Sequence, residues 1–250
     1  MKLTGQSILV TGATGAIGQA ICRALSAEGA KIVVHYGRNR DTAEALVRTL
    51  GEGNWAVPAD LSDPAGAQVL WDQSISAAGT LTGLVNNAGI RSEVAIDAPM
   101  DEWQRVWARE MQVNFLSAVD LSKLAIQHFR KNGGGRIVNM ASRAGQRGYT
   151  SSAMAYGASK AALINLTKSI ALSHGHEGVT SVALAPGWVR TEMAEAYIAE
   201  HGEAAALAGI PIARMADPQE IGEITAFAFR PSQASLNGAV LDVNGGSYMR

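Results

Sequence analysis

The sequence predicts an α/β protein built on a mainly parallel sheet with helices on both faces. Three observations predict it. Short β-rich runs alternate along the chain with amphipathic helical stretches, the order that βαβ units require. The β-rich runs are apolar nearly throughout, which suits strands covered by helices on both faces. Of 250 residues, 47% are hydrophobic and 17% charged, the balance of a well-cored globular chain.

In chain order, strand Ser7–Thr11 opens the alternation and runs straight into the glycines of ILVTGATGAIG. The helical stretch Ala16–Glu28 follows and carries the single cysteine, Cys22, inside its apolar pattern. Next come strand Lys31–His35, helix Asp41–Leu50, strand Trp55–Ala59, helix Pro64–Ala78 and strand Gly83–Val85. The long helical segment Asp101–Lys131 leads to strand Arg136–Met140. Helix Ala153–Ser173 leads to strand Thr180–Ala185, and helix Pro218–Phe229 to the last strand, Val240–Val243. The 27 glycines fall at segment ends, as turn and cap residues do. The one long segment without a strand, Pro186–Pro218, follows a strand end, where α/β sheets place ligand sites. Residues 1–250 therefore read as one domain, with 187–217 as a substrate lid or small helical insertion.

Composition excludes several function classes. Net charge is −1 without a long basic or acidic run, so nothing favours nucleic acid or a membrane surface. One cysteine allows no disulfide within the chain and suits a reducing compartment. No apolar run approaches the ~20 residues of a membrane helix, and MKLTGQSILV is too short in its apolar part for a signal peptide. A soluble, cytoplasmic protein is expected. His174 and His176 are two apart, which does not put both on one helical face, and His35, His128 and His201 are scattered, so no metal site is expected.

Gly12, Gly15 and Gly18 stand between a strand and a helix. There the backbone can approach a pyrophosphate, and the free N–H groups of the helix start hold negative charge. A glycine-rich turn without a ligand fits the same residues. After the second strand, an acid that would bind a ribose 2′-hydroxyl is missing. Tyr36, Gly37, Arg38, Asn39 and Arg40 stand there, and Asp41 is the first acid. A guanidinium binds a 2′-phosphate that a carboxylate would repel, so NADP(H) is expected over NAD(H); ordinary solvated loop arginines are the other reading. Asp60 suits an adenine amino group or the capping region of the helix at Pro64. In Asn86-Asn87-Ala88-Gly89, small residues allow close approach of a ligand, and the amides can tie adjacent strands together.

Tyr156 and Lys160 are four apart on a helical pattern and share a face. A lysine there favours the phenolate and draws the tyrosine below its usual pKa of about 10, making it a usable acid or base. Ser142 closes the fifth strand, and Asn114 breaks an apolar stretch in the long helical segment. A buried mid-helix asparagine caps a carbonyl, marks a kink or holds a water.

The order TG-x-x-G-x-x-G, Asp60, Asn86-Asn87-Ala88-Gly89, Asn114, Ser142, Tyr156-x-x-x-Lys160, Pro186-Gly187 and Val243-Asn244-Gly245-Gly246 resembles the short-chain dehydrogenase/reductase family over essentially the whole chain. The resemblance implies a Rossmann-type, doubly wound, seven-stranded parallel sheet and an NAD(P)-dependent oxidoreductase that interconverts a carbonyl and a secondary alcohol. It implies that Tyr156 is the general acid or base and that Lys160 tunes it and holds the nicotinamide ribose. Ser142 would steady the substrate oxygen, and Asn114 would hold a water of a proton relay. It further implies that Gly12, Thr14, Gly15, Ile17 and Gly18 face the phosphates and Asp60 and Leu61 the adenine. Asn87, Ala88 and Gly89 would line the ribose, and Pro186, Gly187, Val189 and Thr191 would hold the carboxamide. Members are often tetramers built on the helices around Tyr156 and Pro218, so a homotetramer is expected. The short, single-domain branch usually carries glycine at position 16, where this chain has alanine.

The substrate pocket is expected from Arg91–Ala95, Arg143–Ser151 and Trp188–Ile210, with Ser142, Arg143, Tyr149 and Trp188 against the substrate. Arg91, Arg143, Arg147 and Arg190 could select a carboxylate, a sugar acid or a phosphopantetheine-borne group, or serve as salt bridges and solvated edges. The nearest subgroup resembles 3-oxoacyl-carrier-protein reductases; sugar, polyol or sugar-acid dehydrogenases are the alternative. A non-catalytic NADP(H) sensor and an epimerase-like enzyme that holds its cofactor tightly are the other classes weighed.

Overall fold

The protein is described here from a computed structural model covering residues 2–249. Seven strands form one parallel sheet: β1 (Ser7–Val10), β2 (Lys31–Tyr36), β3 (Trp55–Pro58), β4 (Gly83–Asn86), β5 (Gly135–Met140), β6 (Val179–Pro186) and β7 (Val240–Val243). Their order across the sheet is β3-β2-β1-β4-β5-β6-β7. The order reverses between β1 and β4, where Val10 lies beside Val34 on one side and Val85 on the other. In such sheets ligands bind beyond the strand ends at that reversal.

Successive residues of a strand face opposite sides, and both sides here are apolar. Ile8 and Val10 pack with Ile32 and Val34 under α1 (Ala16–Ala27), α2 (Arg40–Leu50) and α10 (Pro218–Phe229). Leu9, Val33 and Leu84 pack on the other side against α3 (Gly66–Ala78), α5 (Ser117–Lys131) and α7 (Met154–His174). Cys22 is fully buried in the first layer, and burial pushes its thiol far above the ordinary range.

The helices begin and end where local chemistry allows. Pro218 starts α10, and Glu220 Oε2 accepts from the Asp217 N–H at 2.8 Å as half of a capping box. α3 begins at Gly66 rather than at Pro64, because Asp63 Oδ1 accepts the Ala65 N–H at 2.9 Å and holds a turn there. The segment expected as one helix over Asp101–Lys131 is α4 (Met100–Met111), a π-helical turn over Gln112–Leu116, and α5. Single π turns are frequent at functional sites, and this one carries Asn114. The last helices, α6 (Ala144–Arg147), α8 (Glu192–His201) and α9 (Glu203–Leu207), are short. Among the described residues no helix is long and apolar enough to cross a membrane.

Candidate active site

A cleft of about 950 Å³ opens at the strand ends on the β1/β4 reversal. It runs from the glycine loop, past the ends of β2 and β3, to Ser142, Tyr156 and Lys160, and is bordered by Trp188–Ala194.

The glycines divide the work at one end. Gly12 sits at φ +60°, and a Cβ there would come 2.8 Å from Ala88 Cα. A Cβ on Gly18 would come 2.4 Å from Gly12 O. These two make the loop possible. Gly15, by contrast, has an ordinary φ of −74°, and a Cβ there would meet only Gly12 O at 3.7 Å. Its open side faces the cleft. The start of α1 has no side-chain cap and no acid in its first turn, so its N–H groups and positive dipole end are left for a ligand anion. Gly18→Ala is expected to cost roughly 2–3 kcal/mol through overpacking, whereas Ala16→Gly, at an exposed first helical position, costs less than about 1 kcal/mol. Equal urea midpoints for the two variants would refute this division.

His35, given no role by sequence reasoning, fastens the loop. The Gly12 N–H donates to His35 Nδ1 at 2.9 Å, and His35 Nε2 donates to Ala59 O at 3.2 Å. The Ala13 N–H donates to His35 O at 3.0 Å. One side chain thus joins the ends of three strands. The ring is 3% exposed, and burial lowers its pKa to about 4. Between the unfolded value of about 6.5 and 4, the unfolded chain binds a proton that the folded one refuses. The contribution of this histidine is fully present above about pH 6.5 and is lost as pH falls toward 4, by about 3 kcal/mol. His35→Asn, which cannot titrate, should be less stable than wild type at pH 7, and the gap should narrow at pH 4.5. A gap independent of pH, read from urea unfolding, would contradict the assignment.

The paired asparagines also work as ties. Asn86 Nδ2 donates to Asn139 Oδ1 at 2.8 Å between β4 and β5, and Asn87 Nδ2 donates to Thr11 O and Gly12 O at 2.9 and 3.1 Å. Of the two arginines after β2, Arg38 lines the cleft and Arg40 turns away to Glu44 at 2.7 Å. Tyr36 does not reach the cleft; it is 9% exposed and packs in the core under α1 and α2, because it is the last inward residue of β2. Asp60 caps no helix. Its Oδ1 accepts from Ser62 N at 2.9 Å and Ser62 Oγ at 2.6 Å, which hold its carboxyl below the usual range.

At the other end of the cleft, Ser142 follows β5 and Tyr156 and Lys160 lie on α7. The expectation that Lys160 lowers the Tyr156 pKa is not met. Lys160 Nζ stands 5.7 Å from the Tyr156 ring centroid and donates to Met140 O at 2.8 Å. Burial pushes Tyr156 up to about 12, partly offset by a hydrogen bond with Ser142 and by Arg91. Burial also draws Lys160 down to about 8, opposed by Glu110.

Asn114 does not line the cleft. Its Oδ1 accepts the Ile90 N–H at 2.8 Å, and its Nδ2 donates to Ile90 O at 2.8 Å and Ser159 Oγ at 3.1 Å. With both ends engaged, the side chain braces the Ile90 loop against α7. Four residues earlier, Glu110 is 0% exposed and accepts the Ser92 N–H at 2.8 Å on Oε2, while Oε1 has no partner. Burial holds its carboxyl above the usual range. Sequence reasoning passed over Glu110; an acid inside the apolar stretch before Asn114 was its only signal. Together the two side chains clamp Ile90 and Ser92, the residues either side of Arg91.

Between β6 and α10 the chain leaves the sheet and returns. Val189 and Ala216 form a parallel bridge, with Arg190 N donating to Ala216 O at 2.9 Å and Ala216 N to Trp188 O at 3.0 Å. The enclosed segment has its own small core of Ala194, Ala206 and Met215, with Trp188 and Tyr197 packed against it. Arg190 ties α8 to α9 through Glu195 and Glu203 and does not line the cleft; neither does Arg147. Trp188, Arg143 and Tyr149 do line it, as do the remaining cofactor residues expected from the sequence.

Comparisons with known proteins agree with this geometry. The profile of the short chain dehydrogenase family matches residues 6–202. The chain is 35% identical to the 3-oxoacyl-acyl-carrier-protein reductase FabG of Vibrio cholerae, covering 100% of both. It is 36% identical to the 3-oxoacyl-acyl-carrier-protein reductase of Synechocystis, covering 99% of this chain and 98% of that one. Among solved structures, the angucycline C-6 ketoreductase LanV with bound NADP superposes with a TM-score of 0.87 at 28% identity, over 98% of this chain and 96% of that one.

Proposed function

Because the chain belongs to the short-chain dehydrogenase family, and is thereby an NAD(P)-dependent oxidoreductase, we propose that it reduces a ketone to a secondary alcohol with NADPH. The observation that carries this reading is the single cleft in which Ser142, Tyr156 and Lys160 face the same space as the glycine loop. The cofactor fits the residues present. Gly12 and Gly18 leave no room for side chains, Gly15 is open to the cleft, and the uncapped start of α1 presents N–H groups to a diphosphate. Arg38 lines the cleft, which supports its holding a 2′-phosphate, and LanV was solved with NADP bound.

When bound, NADPH supplies the hydride that the carbonyl carbon accepts. The chain's own groups manage the oxygen. Ser142 Oγ–H holds it, and Tyr156 O–H gives it the proton that completes the alcohol. Both donors are fixed before reaction, so charge developing on oxygen meets dipoles that need not reorganise. Lys160 secures the cofactor ribose from α7, while Asn114 positions the Ile90 loop against the same helix. Burial keeps Tyr156 protonated at neutral pH, which favours reduction; alcohol oxidation needs the phenolate and should accelerate as pH rises. The segment 187–217, pinned at its base and packed on its own core, acts as the lid over a single domain. A homotetramer resting on α7 and α10 is supported by Leu172, an exposed leucine on α7; light scattering at monomer mass would overturn it. The single, buried thiol supports a cytoplasmic setting.

The deciding experiment follows reduced-nicotinamide absorbance across a panel of ketones, 3-oxo esters and oxo acids. Consumption of NADPH with at least one class is expected; none with any class would overturn the reading.

A further inference from the structure

Among the described residues, the cleft holds a buried arginine that no acid pairs with. Arg143 is 8% exposed, lines the cleft and directly follows Ser142. Arg40, Arg91, Arg130, Arg190, Arg214 and Arg230 each have a glutamate within salt-bridge distance, but Arg143 has no acid partner among the described residues. Its surroundings disfavour its charge: burial and Arg147 both pull the guanidinium below its ordinary range. Taking a charge from water without a partner is costly, so the cation is unexplained unless an anion arrives.

We propose that Arg143 binds a carboxylate carried by the substrate itself, within a few bonds of the reacting carbonyl. The enzyme's substrate is then a short oxo acid, reduced to the hydroxy acid, rather than an uncharged ketone or a carrier-bound thioester. The position of Arg143 limits the distance. It directly follows Ser142, the residue that holds the carbonyl oxygen, and lines the same cleft, so an anion on its guanidinium lies within one side chain's reach of that oxygen. The phosphate of a phosphopantetheine arm lies far down a long chain from a 3-oxo group and does not reach this place while the carbonyl sits on Ser142. A carboxylate close to the carbonyl does, and the guanidinium fork can take both of its oxygens. Arg91 is already engaged, by Glu93 and by the face of Tyr149 at 5.5 Å from its centroid. Arg143, with no acid against it among the described residues, is the stronger candidate for the anion.

The inference rests on the ketone-reductase reading, and its test separates the two. With saturating NADPH, the full-length enzyme is compared on a 3-oxo carboxylate, its methyl ester and the matching 3-oxoacyl thioester. The acid should exceed the ester and the thioester in kcat/KM by about tenfold or more. The ratio should fall to near one in Arg143→Met, mainly through KM for the acid, and recover in part in Arg143→Lys. If the ester or thioester is reduced as well as the acid, or the preference survives in Arg143→Met, the carboxylate site is wrong and the reductase stands. If Arg143→Met weakens only NADPH binding, the anion is a cofactor phosphate, and the proposal is equally overturned. If neither wild type nor Tyr156→Phe reduces any of the three, the reductase reading falls. The site is then judged by binding: the carboxylate must quench tryptophan fluorescence saturably in wild type and not in Arg143→Met. Absence of that saturation overturns it.

Discussion

Replacing Tyr156 by Phe is expected to lower kcat for ketone reduction by about 10³-fold while NADPH binding stays within about threefold of wild type. The hydroxyl is the proposed proton donor, and burial makes it hold its proton firmly. Its pKa of about 12 reflects burial, with Ser142 pulling the other way. Phe keeps the ring, and with it the contacts to Tyr149 at 5.6 Å between centroids and to Lys160 Nζ. The loss should therefore fall on the proton and not on the packing. Wild-type rates on the ketone panel in this variant would remove Tyr156 from the chemistry. The pH profiles supply a second check. Reduction should hold steady through neutral pH, whereas oxidation of the alcohol should climb on the alkaline side, because only the phenolate can take a proton. Profiles of the same shape in both directions would say that another group titrates.

The sheet was legible because each strand is a short apolar run set between helical periods. That pattern survives inspection of one sequence, since burial on both faces leaves little room for polar residues. All seven predicted strands are present, with ends displaced by a residue or two, as at Ser7–Val10 and Val179–Pro186. The break inside Asp101–Lys131 was signalled only by Asn114, whose type fits a cap, a kink or a held water alike. A π turn inserts one residue without changing the helical run of residue types, and its cause lies elsewhere: Asn114 reaches across to Ile90, 24 positions earlier. No local pattern carries such a pairing.

The chemical end of the cleft was legible through residue types in order, and the supporting shell was not. Ser142, Tyr156 and Lys160 each come with a motif, and the structure places them in one cleft. His35 and Glu110 come with none. A histidine within the strand KIVVHY reads as one more core residue, yet its two nitrogens decide where Gly12 and Ala59 stand. The electrostatics were misjudged for a similar reason. The i, i+4 spacing correctly puts Lys160 beside Tyr156, but spacing says nothing of depth. Burial dominates both pKa values, as it does wherever a charge must form away from water. The two arginines after β2 illustrate the same limit. From sequence they are equivalent; in the structure Glu44, one turn along α2, claims Arg40 and leaves Arg38 to the cleft.

On that division we propose that Arg38, rather than Arg40, reads the 2′-phosphate. Arg38→Asp should weaken NADPH by about 100-fold and leave NADH within a few-fold, reversing or abolishing the preference. A charge-assisted bond to phosphate is worth about 1.5–3 kcal/mol, and an introduced carboxylate adds repulsion for the 2′-phosphate while offering the 2′-hydroxyl an acceptor. Arg40→Ala serves as the contrast. Its guanidinium is already spent on an exposed pair with Glu44, of a kind that adds little to stability, so the NADPH/NADH ratio should hardly move. Fluorescence titration of both nucleotides against both variants decides the matter. A loss in Arg40→Ala equal to that in Arg38→Asp would mean that the loop reads the phosphate by general positive charge, and the geometric distinction between the two residues would carry no functional weight.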